Sequence, residues 1–482
     1  MIKTHSPFLI IAAFVGVLSS CQTFKTNTVK KAELPASYDE QMKDTFNISN
    51  KPWNAFYQDS SLKKLISTAL EKNFDTKIAL ERTAIANAEL AWNKSNLLPS
   101  INASARSNTE KFGEYTMNGI GNDDTNLSEH LPPDKHMNNP YTEFFAGLTF
   151  SWEVNLWGKL SNKRKAALSR MMASKEMQHG VTTWLISSIA EHYYELLGLD
   201  QEKKVLQENL RLQELGLELV RIQKTGGKVN QLAVDQFESQ MLNTKTRLVR
   251  IDQEILTTES ELNQLLGRYP QTIHRKNINE YVSLPEDYIG NPDDLIFHRP
   301  DVREAEYQLV AADADVMVAR AAFYPSLKLN GSAGFSAFSL SKLFLTPGSA
   351  IYTLGAGLSA PLFQRGQIKA LYASSTARQR ITLTQYQKTL LNSYYEVYVV
   401  WHNAENLEQQ ITIKEEEAFV LRRAFSSSND LFSVGFATYL EVITAQRRLL
   451  DVELELTELK KDQLKNMAVL YRSLGGGWIN EG

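Results

Sequence analysis

Cysteine occurs once in 482 residues, at Cys21, so intrachain disulfides and a cysteine metal cluster are both excluded. The chain holds only 24 glycines and 14 prolines, below average usage. No proline stands between Pro140 and Pro270, and none follows Pro361. Breakers this sparse leave room for very long uninterrupted elements. A mean hydropathy of −0.31 excludes a polytopic helical membrane protein. Charge of one sign is lacking too, with a formal net charge of −3. There is no basic bias for nucleic acid and no acidic tail. Catalytic motifs are missing as well. Thr225-Gly226-Gly227-Lys228 lacks the rest of a P-loop, no G-x-S-x-G elbow occurs, and the eight histidines form no i, i+4 zinc pair. No enzyme and no cofactor is expected.

The one cysteine has a place. Lys3 and His5 precede the apolar run Phe8 to Leu18, which is too short to span a bilayer as a mature helix. That is the layout of a secretory signal peptide, residues 1–20. It ends in Leu18-Ser19-Ser20-Cys21, which resembles a bacterial lipoprotein signal, where the cysteine after the cut is acylated. Two or more acyl chains make a stable anchor where one is marginal. Gln22 follows, not the Asp that favours inner-membrane retention in enteric bacteria.

The body of the chain is an internal repeat. Ala88 to Asn108 resembles Asp315 to Phe335, with Pro99 opposite Pro325. Trp157-Gly158-Lys159 matches Arg365-Gly366-Gln367 at an offset of 208, and Tyr193-Tyr194-Glu195 matches Tyr394-Tyr395-Glu396 at 201. Gly227, five residues before Leu232, matches Gly435, five before Leu440. The two offsets differ by one heptad, which leaves a helical packing frame intact. Each copy ends in a seam of 3-4 spacing: Leu449, Val452, Leu456 and Leu459 in the second, Met241, Thr244, Leu248 and Ile251 in the first. This predicts coiled-coil-like packing of long helices. A helix from about Asn155 to Leu215 is ~90 Å long.

Four segments alternate with period two, over residues ~100–110, ~143–154, ~326–338 and ~350–361. In the second, Phe144, Ala146, Leu148, Phe150, Trp152 and Val154 share one face; Gly147, Thr149, Ser151 and Glu153 share the other. In the fourth, Tyr352, Leu354, Ala356 and Leu358 oppose Ile351, Thr353, Gly355 and Ser359. About ten residues with an apolar and a small-polar face is the pattern of a transmembrane β-barrel strand. Four strands cannot close a barrel, for which about eight is the minimum. The chain must share its barrel with copies of itself: eight strands from two, twelve from three. The connection Glu110 to Tyr141, rich in Asn, Asp, Gly and Pro, reads as a long external loop, and Ser339 to Ser349 as a shorter, more apolar one. His130 and His136, with Asp123, Asp124 and Asp134 nearby, read as a solvated polar loop in preference to a metal site.

At this point the chain resembles the TolC-like outer-membrane efflux family, in its NodT/OprM-like lipoprotein branch. The similarity covers essentially the whole mature chain. It is carried most specifically by Arg299-Pro300-Asp301-Val302-Arg303-Glu304-Ala305-Glu306, by Val318 to Ser326 and by Leu474-Gly475-Gly476-Gly477-Trp478. The resemblance implies a homotrimer: four strands per protomer in a 12-stranded membrane β-barrel, continued by a periplasmic α-barrel of long helices. The chain then divides into an anchored equatorial segment (21–58), a first repeat (59–270), an inter-repeat segment (271–298) and a second repeat (299–482). The implied function is a passive outer-membrane exit channel for drugs or other small molecules. Its implied partners are an inner-membrane pump, of the RND type, and a periplasmic adaptor. A type I protein-secretion channel and a non-conducting periplasmic coiled-coil lipoprotein remain as alternatives.

The motifs also have structural readings. Pro300 at a first helical position, with Asp301 and Glu304 in the first turn, is a helix start favoured by the dipole, and Gly475 to Gly477 end the last helix. The turns at Gly226-Gly227 and at Gly435 are expected at the periplasmic tip. By family resemblance an acidic residue just inside the second turn holds that tip closed, and Glu441 matches it. The first repeat departs from the pattern: Ala233 takes the equivalent place and Asp235 lies two residues on. Thr438-x-x-Glu441 also spells a capping box, a role compatible with a gate.

Overall fold

A computed structural model describes residues 47–278 and 291–478, together with Pro35 and Tyr38. The signal peptide, the expected acylation site Cys21, most of the expected equatorial segment and part of the inter-repeat segment lie outside the described residues.

Each half of the chain runs from helix through two strands into a long helical hairpin. The first half holds α1 (Ser60–Lys72), α2 (Phe74–Ser95), β1 (Ser100–Glu110), α3 (Met117–Asn126), β2 (Tyr141–Val154), α4 (Lys159–Thr225) and α5 (Gln231–Leu265). The second holds α6 (Pro300–Ala321), β3 (Ser326–Ala337), β4 (Ala350–Ser359), α7 (Gln367–Val434) and α8 (Tyr439–Ser473). With 67 and 68 residues, α4 and α7 are each about 100 Å long. The first of them begins and ends later than the sequence suggested. Gly158 and Gly366, at φ 72° and 80°, make the strand-to-helix corner in the two repeats and set where the helices start. Buried Leu217 and Val220 carry α4 on toward the tip. Within the β1–β2 connection, read from sequence as irregular, α3 forms although Asn, Asp and Gly are weak helix formers. It is held from outside: the Thr116 hydroxyl accepts from the Gly119 amide at 3.1 Å, and Asn126 exchanges two 2.9 Å hydrogen bonds with the Met137 backbone.

The four strands form one antiparallel meander in the order β1-β2-β3-β4, so the two repeats meet at the β2–β3 ladder. The register brings the apolar alternation of every strand onto one face. Ala103, Leu148, Ala333 and Tyr352 stand in one row, and Ile101, Phe150, Gly331 and Leu354 in the next but one. Between them run Asn102, Thr149, Ser332 and Thr353 on the opposite face. Phe150 lies over Gly331, where an added Cβ would collide with its ring. Phe145 and Ile351 depart from the pattern, and Phe145 sets an aromatic ring on the polar face. It is buried over Gly147 and covered by the Arg106 guanidinium, 4.7 Å from the ring centroid. If this register holds in a bilayer, Phe150→Arg puts a charge in hydrocarbon at a cost of ~2–4 kcal/mol, whereas Ser151→Arg on the polar face does not. Equal yields of folded, heat-modifiable oligomer from the two variants would show the facing to be wrong.

The principal core is a belt midway along the long helices. There Leu62 and Ile66 of α1 meet Ile189, Tyr193 and Leu197 of α4 and Ala468 and Tyr471 of α8. Phe56 stacks on Tyr471 with ring centroids 4.0 Å apart, and Tyr471 donates to the Lys51 carbonyl at 2.6 Å. Tyr193 donates to Asp59 at 2.6 Å. The matched Tyr-Tyr-Glu motifs both serve this belt: Glu195 binds Lys461 and Lys465 at 3.0 and 2.6 Å, and Glu396 binds Arg299 and Arg472, each at 2.8 Å.

Arg299 does more than precede a helix start. It is 8% exposed. Its Nε and Nη2 grip Asp301 at 3.0 and 2.8 Å, while Nη1 reaches Glu396 at 2.8 Å and the Ser473 carbonyl at 2.7 Å. Beyond α8, Gly475 at φ 90° threads past the His298 carbonyl, too close for a side chain, and Trp478 donates to that carbonyl at 3.0 Å. Burial works to raise the Asp301 carboxyl, but the hydrogen bonds and charge of Arg299 outweigh it and hold Asp301 below the usual carboxylate range. A depressed carboxyl contributes stability above its unfolded pKa and loses it as pH falls through the folded value. Arg299→Met is therefore expected to cost about 3 kcal/mol, the lower end for a broken buried pair, since Asp301 is itself half-exposed. Urea denaturation in detergent at pH 7 should show the loss, and the gap to the parent should narrow below about pH 4. Coincident midpoints at pH 7 would mean the network contributes nothing net.

Candidate functional site

The long helices turn back at two places. At the first, the Gly227 and Lys228 amides close the end of α4 onto the carbonyls of Lys224 and Gln223, each at 2.9 Å, with Gly227 at φ 74°. The Asn230 side chain then caps α5 through the Ala233 amide at 3.2 Å. At the second, Gly435 takes φ 87° and the Phe436 amide reaches back to the Leu431 carbonyl at 2.8 Å. Both are left-handed helix terminations, a conformation that favours glycine. Thr438 and Glu441 form the expected capping box at the start of α8: Oε2 of Glu441 accepts from the Thr438 amide at 2.5 Å and from its hydroxyl at 3.1 Å.

The two turns belong to one packed tip. Leu217 and Val220 of α4, Val234 and Phe237 of α5, Phe432 of α7 and Val442 of α8 form a single buried cluster. Exposed ion pairs zip each hairpin: Arg221–Glu238 and Lys245–Glu214 in the first, Arg422–Glu453 and Lys460–Glu415 in the second. Pairs this exposed contribute little individually. Across the hairpins, Arg247 of α5 meets Asp451 of α8 at 3.7 Å.

Of the residues singled out from sequence, Gly227, Gly435, Glu441 and Asp235 all lie at this tip. Glu441 and Asp235 are exposed, and Asp235 accepts from Gln231 at 2.6 Å within its own helix. Cys21 lies outside the described residues. His130, His136, Asp123, Asp124 and Asp134 do not converge: among the described residues no three metal-ligating side chains come together, and Asp134 pairs with Lys342 at 2.9 Å. The Arg247–Asp451 pair was missed. Both residues stand one position before the seam residues Leu248 and Val452, and that adjacency was the available signal.

Among the described residues, a sheet open at both edges, set on two helical hairpins about 100 Å long, defines one protomer of a tube rather than a closed globule. The chain belongs to the outer membrane efflux protein family, whose model matches residues 65–268 and 291–476. The pyoverdine export outer membrane protein OpmQ of Pseudomonas aeruginosa is 30% identical over 430 residues, 89% of this chain and 88% of that protein. The probable outer membrane lipoprotein SilC of Salmonella typhimurium is 28% identical over 432 residues, 89% of this chain and 88% of its own. In fold, the solved outer-membrane channel OprN superposes with a TM-score of 0.84 at 21% identity, covering 95% of this chain and all of that one.

Because the turn at Gly435 needs a positive φ, Gly435→Ala should cost about 1–2 kcal/mol locally. Gly226→Ala, at φ −80°, should cost nothing of that kind. Amide hydrogen exchange in the last turn of the helix that each glycine ends, α7 for Gly435 and α4 for Gly226, should quicken for the first variant only. Equal exchange in the two would mean that the left-handed turn does not limit fraying at the tip.

Proposed function

We propose that this chain is the outer-membrane exit duct of a tripartite efflux system, assembled as a trimer. The observation that carries the reading is the four-stranded sheet, apolar on one face and largely polar on the other, with β1 and β4 unpaired at its edges among the described residues. Unpaired edges in a bilayer leave backbone groups unsatisfied, so the sheet has to close with copies of itself. Three copies supply twelve strands, with the polar faces lining the lumen. The long helices of each protomer then continue the tube into the periplasm, where an inner-membrane pump supplies energy and an adaptor joins pump to duct. The duct itself conducts passively. Pyoverdine export, in the name of the relative OpmQ, supports a small solute as cargo. The lipoprotein name of SilC supports acylation of Cys21 as the anchor.

In this reading the resting tip is narrowed by carboxylates that face their symmetry mates, Glu441 foremost and Asp235 beside it. Glu441→Gln keeps an acceptor for the Thr438 amide and removes the charge. Loss of a cap costs about 1 kcal/mol of helix stability, which glutamine spares. Single-channel conductance in planar bilayers should therefore rise with helicity unchanged. Conductance equal to the parent, from intact trimers, would leave Glu441 as a cap and nothing more.

A further inference from the structure

The β3–β4 connection lies at the end of the sheet opposite the helices, and it is not the polar loop expected in open water. Between Ser339 and Ser349 the one charged residue is Lys342, whose Nζ is held by Asp134 of the β1–β2 connection at 2.9 Å. The segment is folded on itself. The Leu345 amide donates to the Lys342 carbonyl at 3.0 Å, the Ser349 amide to the Leu345 carbonyl at 2.8 Å, and the Ser349 hydroxyl to the Lys342 carbonyl at 2.7 Å. This knot buries Leu343 and turns Leu340, Phe344 and Leu345 outward, at 63%, 67% and 60% exposure. Three large apolar side chains presented together mark a surface that something covers.

The position of Phe344 says what covers it. Its ring meets that of Phe335 edge-on, with centroids 5.5 Å apart. Phe335 pairs with Ala146 and so belongs to the apolar face of the sheet. It stands two residues before the end of β3, at the height where a membrane strand leaves hydrocarbon and where aromatic girdles sit. The loop therefore extends the apolar face outward and does not fold over the polar face toward the lumen. Its charge is already neutralised by Asp134, so seating it at the interface strands no unpaired ion.

We propose that the β3–β4 loop is a membrane-seated wedge, with Leu340, Phe344 and Leu345 in the hydrocarbon of the outer leaflet beside the barrel and the Lys342–Asp134 pair at the water boundary. This rests on the apolar sheet face being the lipid face. Since Cys21 is the chain's one cysteine, a thiol-reactive environment-sensitive fluorophore reports on a single added site against the parent as background. Phe344→Cys, Leu354→Cys on the apolar face and Ser332→Cys on the polar face would be labelled and reconstituted into phosphatidylcholine vesicles with plain or brominated acyl chains. The label at Phe344 should emit at short wavelength and lose emission to brominated chains as much as the label at Leu354, with Ser332 unaffected. Quenching at Leu354 but not at Phe344 would overturn the wedge and leave the lipid face standing. Short-wavelength emission at Phe344 without quenching would place a neighbouring protomer over the loop, which also overturns it. Quenching at neither position would remove the lipid-face reading and the wedge with it. Leu345→Cys serves as the reporter if Phe344→Cys gives no trimer, and is read in the same way.

Discussion

The guanidinium of Arg299 is the point at which the three helices of the second half are tied together. It is buried, and it is shared among the start of α6, the middle of α7 and the end of α8. Long helices that pack as pairs are easily sheared, because their seams repeat along the axis and one register resembles the next. An apolar belt alone would tolerate such sliding. A fork that must meet two carboxylates and one carbonyl at fixed distances does not, since the alternative is an uncompensated buried cation. Placed midway along α7, it fixes the register of α6, α7 and α8 relative to one another.

Much of this was legible because the patterns are local. Period-two alternation put the four strands on the page, and the register then laid their apolar rows on one face, with Phe145 and Ile351 as departures. The heptad-spaced seams and the scarcity of proline predicted the helical hairpins, and glycines at matched offsets predicted their turns. The Thr438-x-x-Glu441 box is a four-residue motif, and it formed.

What was not legible depends on partners distant in sequence. Arg299 looked like a helix flank because Glu396 and Ser473 lie 97 and 174 residues away. Phe145 broke the alternation, and nothing nearby in sequence marked Arg106, on the neighbouring strand, as its cover. The helix α3 was hidden by composition: its residues disfavour helix, and its stability is supplied by Thr116 and by the bridge from Asn126 to Met137. In each case a tertiary contact outweighed a local preference.

The meeting of the two repeats at the β2–β3 ladder has a further consequence for how the ring comes together. In a closed trimer the wall consists of six hairpins of nearly equivalent build, and every joint between neighbours sets a hairpin of one kind beside a hairpin of the other. Three of those joints are bridged covalently by the chain, and three are made only when β4 of one copy finds β1 of the next. The wall is thus close to sixfold in construction while only threefold in connectivity. A lone protomer carries both halves of the missing joint as bare strand edges, the feature that soluble proteins take care to conceal. Closure of the wall therefore requires the β4 edge of one copy to meet the β1 edge of the next.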